Sequence, residues 1–102
     1  MIDLNLMAIF ARVVEAESFA EAARRMNTSR SAVSKAVAKL EKTLGARLVN
    51  RTTRHLSLTE IGLMVADHCC RMLEEADQGE RLVASFTTEP RGVLRVSASV
   101  AF

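Results

Sequence analysis

Residues 18 to 44 constrain this chain more than any other stretch. Ser18 followed by Glu21 has the form of a capping box, which starts a helix. Phe19, Ala22, Ala23 and Met26 recur on one face of that helix. The two adjacent alanines allow a second helix to cross closely. Asn27 follows where the chain must turn sharply, and Asn tolerates the left-handed backbone conformation better than most residues. Thr28 or Ser29 caps the next helix, whose buried stripe is Val33, Val37, Leu40 and Leu44. Its opposite face carries Arg30, Ser31, Ser34, Lys35, Ala38, Lys39 and Lys42, and Gly45 is placed to end it. One helix is built for burial and the next displays hydroxyls and cations, joined by a tight turn. That is the pattern of a helix-turn-helix, and nucleic acid is the leading partner it implies.

Charge supports the same partner. From Arg24 to Arg54 there are nine Lys or Arg and a single acid, Glu41, so the segment is +8 while the rest of the chain is −6. A basic block in a chain of net charge +2 is the electrostatic footprint of a polyanion-binding surface. With four Phe and no Trp or Tyr, stacking platforms for single strands are not expected. One Pro and four Gly in 102 residues suit a helical chain.

The flanks complete a domain. Asp3 or Asn5 caps a first helix with Leu6, Phe10, Val13 and Val14 on one stripe, ending near Glu17. Leu48 to Arg51 and His55 to Leu58 are short β-compatible pieces, read as a two-stranded wing with Thr52, Thr53 and Arg54 between them. Thr59 caps a long fourth helix, with Leu58 and Leu63 as a hydrophobic staple. Along it, Gly62, Val65, Cys69, Met72, Ala76, Gly79, Val83 and Phe86 recur at spacings of 3 and 4, a seam for a second copy of the chain. Thr87 to Gly92 read as a linker, and Leu94, Val96, Ala98, Val100 and Phe102 alternate like one strand of a further domain.

The pattern Ser18-Phe19, Ala22-Ala23, Ser29, Ala32-Val33-Ser34, Leu40-Glu41, Leu44-Gly45, Arg47-Leu48, Arg51, Leu58-Thr59 and Gly62 resembles the N-terminal domain of LysR-type transcriptional regulators. The match runs without a gap over about residues 4 to 65. The resemblance implies a mainly α fold: a winged helix-turn-helix over 1–58, a dimerisation linker helix over 59–86, and over 87–102 a hinge and first strand of a truncated effector-binding domain. It also implies duplex DNA with interrupted palindromic sites as partner, bound by a homodimer, with tetramers among full-length members. A small-molecule co-inducer is implied for the effector domain, and no cofactor for the segment present here. The family often has Gln and Pro where this chain has Arg30 and Ser31, so its target sequence is expected to differ.

These readings assign DNA contact to Ser29, Arg30, Ser31, Ser34, Lys35 and Lys39 on the recognition helix, and to Arg51, Thr52, Thr53 and Arg54 on the wing. Arg30 is the candidate base reader, because a bidentate Arg contact to guanine is the commonest specific contact. A phosphate contact is the alternative for it. Lys39 and Lys42 lie further along and suit phosphate. Dimerisation is assigned to Val65, Cys69, Met72, Ala76 and Val83. His55 reads as a turn residue. Adjacent Cys69 and Cys70 beside His68 point about 100° apart on a helix, a poor metal site. No spaced cysteine framework, apolar membrane span or secretory signal is visible, which suits a bacterial cytoplasm and the nucleoid. No catalytic arrangement is visible either. The competing reading is a dimeric protein-interaction module that uses the winged helix and long helix without specific DNA reading.

Overall fold

A computed structural model describes residues 3–51 and 55–87 as four helices: α1 (Leu4–Ala16), α2 (Phe19–Arg25), α3 (Arg30–Leu44) and α4 (Glu60–Thr87). The mainly helical order matches the expectation. Thr52, Thr53, Arg54 and the linker and strand read after Thr87 lie outside the described residues.

Each helix starts and stops where short-range chemistry directs. The Asp3 carboxylate accepts from the Asn5 amide at 2.8 Å, Ser18 Oγ from the Glu21 amide at 3.0 Å, and Ser29 Oγ from the Ala32 amide at 3.0 Å. At the end of α2, Asn27 has φ +57°, and the Thr28 amide donates back to the Ala23 carbonyl at 2.9 Å. This is a Schellman closure, and it makes the tight turn of the motif. Gly45 closes α3 in the same left-handed region, at φ +71°. The reciprocal half of the capping box differs from the expectation. The Glu21 carboxylate turns instead to Arg24 and Arg25, which stand three and four residues on and offer charged donors.

α1 packs against the other three helices and α2 packs on α3. Their shared core holds Phe10, Val13, Val33, Val37, Leu40 and Leu48, all fully buried. Ala22 and Ala23 are buried too, where small side chains bring α2 close. The expected wing strands meet at their base in one antiparallel bridge, Val49 with Leu58. The Asn50 amide donates to the Ser57 carbonyl at 2.9 Å, and the Thr59 amide to the Leu48 carbonyl at 3.0 Å.

α4 begins at Thr59, whose Oγ1 accepts from the Gly62 amide at 2.9 Å and donates to the Arg47 carbonyl at 2.6 Å. Leu63 is 61% exposed, so the proposed staple does not hold this end. Gly62 holds it: a Cβ there would run into the backbone carbonyl of Leu48, so only glycine lets the helix start so close to the bridge.

Two members of the expected seam are therefore corrected. Gly62 and Cys69 face inward with Ala66 and Leu73, and Cys69 is fully buried in the chain's own core. Gly62 lies against the Leu48 backbone and Cys69 is buried in the core, so neither is available to a second copy. At 100° per residue, Ile61, Val65, Met72, Ala76, Val83 and Phe86 form a separate stripe, rotated by roughly 80° from the buried one. Ile61, Val83 and Phe86 are about half exposed, Ala76 is exposed, and Val65 and Met72 are half-buried. The apolar stripe thus enters through Ile61, and it passes His68 where Cys69 was expected.

Candidate nucleic-acid interface

The outer face of α3 is basic because Val33, Val37 and Leu40 turn inward and leave the cations on the opposite side. Arg30, Ser31, Lys35, Lys39 and Lys42 are exposed, as is Ser29 at the cap, and Ser34 is half-buried. Among the described residues, no ion pair engages Arg30, Lys35, Lys39 or Lys42. Unpaired exposed cations on one helix face retain their full charge for a polyanion.

Two acids of this region, Glu21 and Glu41, are engaged internally, while an exposed third, Glu17, borders the cavity beside Arg30. Glu21 bridges Arg24 and Arg25, and those two bonds hold its carboxyl down to about 2. Glu41, the single acid of the basic block, is buried on the inner side of α3. Its Oε2 accepts from the amides of Leu48 and Val49 at 2.8 and 3.1 Å. Its Oε1 accepts from Arg51 Nη2 at 2.9 Å, with Arg47 Nη1 4.0 Å away. Burial alone raises its pKa, but Arg51 and the two amides outweigh that and hold it below the ordinary carboxylate value. Glu41 thus ties the recognition helix to the base of the wing, a role the sequence reading missed. Its signal was its isolation among nine cations.

Arg51 is placed differently from a free wing cation. Besides Glu41, its Nη1 donates to Ser34 Oγ at 3.2 Å, so the guanidinium spans from the bridge to α3. Ser34 accepts in that bond, and its own proton remains to donate. The Arg51 and Arg30 guanidinium carbons each lie 5.8 Å from the centroid of the Phe19 ring. These groups line an open cavity of about 290 Å³ between the starts of α2 and α3 and the bridge, which Ser18, Asn50 and His55 also border.

The two thiols offer no comparable chemistry. Burial pushes Cys69 up to about 11, and burial with Glu15 and Asp67 nearby raises Cys70, so both are neutral thiols near pH 7. Among the described residues, no cluster of His, Cys, Asp or Glu is arranged to hold a metal ion. None of the helices is long and apolar enough to cross a membrane.

Comparison with known proteins gives the family and the fold. Residues 4–63 match the family described as bacterial regulatory helix-turn-helix protein, lysR family. An HTH-type transcriptional regulator of Xanthomonas campestris pv. campestris (strain 8004) is 44% identical over 93 residues, covering 91% of this chain and 27% of that protein. The HTH-type transcriptional activator AaeR of Escherichia coli (strain K12) is 42% identical over 96 residues, covering 94% of this chain and 31% of that protein. The chain thus spans about a third or less of the length of these relatives. Among solved structures, the BenM DBD/catB site 1 DNA complex superposes with a TM-score of 0.72 at 26% identity, covering 83% of this chain and 96% of that one.

Proposed function

The chain belongs to the bacterial lysR family of helix-turn-helix regulatory proteins and contains its DNA-binding domain, and from that premise we propose how it reads DNA. α3 enters the major groove of duplex DNA with Arg30 at a base edge. Ser29, Ser31, Ser34, Lys35 and Lys39 serve the adjoining phosphates and bases. Arg51 acts from beneath, fixing Ser34 and the wing base, while Thr52, Thr53 and Arg54 reach the backbone or minor groove. The observation that carries this reading is the unpaired basic face of α3, with its one acid turned inward. Phosphate contacts of this kind give affinity that falls steeply with salt, and base contacts give sequence choice.

Selection of bound duplexes from a random pool tests the assignment. Arg30→Ala is expected to relax preference at one base position per half-site, by about 1–3 kcal/mol of discrimination. Recovery of the wild-type motif would overturn base reading by Arg30.

The same reading takes the chain as half of a dimer, with the exposed stripe of α4 as the pairing surface. Two copies would set their recognition helices roughly 34 Å apart, one turn of duplex, and would require an interrupted palindrome. Met72→Glu is expected to weaken self-association in equilibrium sedimentation while leaving the Tm of the unpaired chain, measured at high dilution, nearly unchanged. Cys69→Ser should do the reverse, because Cys69 lies in the core. An undiminished dimer in Met72→Glu would rule out this stripe. Response to a small-molecule co-inducer, tetramer formation and a place at the bacterial nucleoid belong to the whole regulator and are proposed with it.

A further inference from the structure

We propose that Phe19 is a positioning residue for sequence choice: its ring holds the Arg30 guanidinium in the pose from which it reads a base. This rests on the assignment of base reading to Arg30. An arginine at the exposed start of a helix has several free torsions, and ordering them on binding costs entropy. A side chain already held in its bound pose avoids that cost.

Three observations point to the ring as the holder. Arg30 Cζ stands 5.8 Å from the ring centroid, within cation–π range. Phe19 is the first residue of α2, half-buried against the core, and its helix is pinned by the Ser18 cap, so the platform is fixed to the scaffold. The second guanidinium at the ring, that of Arg51, is bound to Glu41 at 2.9 Å and to Ser34 at 3.2 Å. Two bare cations sharing one ring would repel each other. Here the charge of Arg51 is matched by a buried carboxylate, so the ring retains a cationic partner that is free to contact DNA. Arg30 makes no ion pair among the described residues, and the ring is the contact that restrains it.

The test uses duplex selection with the full chain carrying Phe19→Leu, Phe19→Tyr, Arg30→Ala or Phe19→Leu with Arg30→Ala. Leu retains apolar bulk without the ring's π face, and Tyr retains that face. Phe19→Leu is expected to relax preference at the base position that Arg30→Ala relaxes, by roughly two- to five-fold. Phe19→Tyr should keep the wild-type motif, and Phe19→Leu should add nothing once Arg30 is Ala. Three results would overturn the proposal. If Phe19→Leu selects the wild-type motif while Arg30→Ala does not, the platform role fails and base reading by Arg30 stands. If Phe19→Leu lowers Tm and weakens all duplexes equally, Phe19 is only a packing residue. If Arg30→Ala itself selects the wild-type motif, both assignments fall.

Discussion

Glu41→Ala is expected to cost about 3 kcal/mol of stability, near the low end for breaking a buried ion pair from one side. The substitution removes the acceptor of two backbone amides, Leu48 and Val49, and the partner of Arg51. Arg51 can recover part of the loss, because its side chain is 29% exposed and can turn to water. The two amides are packed beneath the bridge and have no such route. Arg51→Met should therefore cost less than Glu41→Ala, since the carboxylate keeps both amide donors. Urea denaturation of the three proteins gives the order directly. For a domain of this size, 3 kcal/mol corresponds to a fall in Tm of roughly 12–24 °C.

The same carboxylate predicts a pH dependence. Its pKa is lower in the folded chain than in the unfolded one, where it is about 4.3. The stabilising contribution is therefore complete above the unfolded value and is lost as pH falls through the folded value. The stability difference between wild type and Glu41→Gln should be constant from pH 7 down to about pH 5 and shrink below that. Glu21 titrates in the same acid range, down to about 2. Its ion pairs with Arg24 and Arg25 remain in Glu41→Gln, so they cancel in the comparison. A difference that stays constant into strong acid would mean the Glu41 charge contributes nothing.

Glu41 also shows where reading the sequence stops. The stripe Val33, Val37, Leu40 and Leu44 was legible because helical periodicity is local, as were the caps at Ser18 and Ser29 and the left-handed turn at Asn27. Glu41 lies four residues after Val37, at the edge of that buried stripe, but a charge there argues for the surface. It turns inward because amides seven and eight residues away come under α3, and no local rule supplies them. The phase of α4 was ambiguous for a related reason. Gly62, Val65, Cys69 and Met72 make as regular a repeat as Ile61, Val65, His68 and Met72. Only the positions of the Leu48 backbone and of α1 decide that Gly62 and Cys69 are inside. The basic face of α3 was plain from the run of Lys and Arg, whereas the contacts of Arg51 and Phe19 needed the crossing of three elements.

Gly62→Ala is the second large effect, and its sign is set by competition between two magnitudes. Alanine favours a helix interior over glycine by about 1 kcal/mol. Against this, the added methyl would overlap the Leu48 carbonyl group, and both its oxygen and carbon are backbone atoms. That carbonyl cannot swing away cheaply, because it accepts from the Thr59 amide at 3.0 Å at the start of the same helix. Overpacking costs about 1–3 kcal/mol, and a clash with two backbone atoms belongs at the top of that range, so after the gain of about 1 the net result is expected to be a loss of about 2 kcal/mol, or roughly 8–16 °C in Tm. Gly79 supplies the opposite case within one helix: an added Cβ meets nothing within 4 Å. Gly79→Ala should therefore gain up to about 1 kcal/mol from helix propensity alone. Both are best measured in a Met72→Glu background, where pairing of α4 does not contribute. Equal changes at the two positions would mean that Gly62 is only a helix residue and that the close approach of α4 to the bridge does not set its identity.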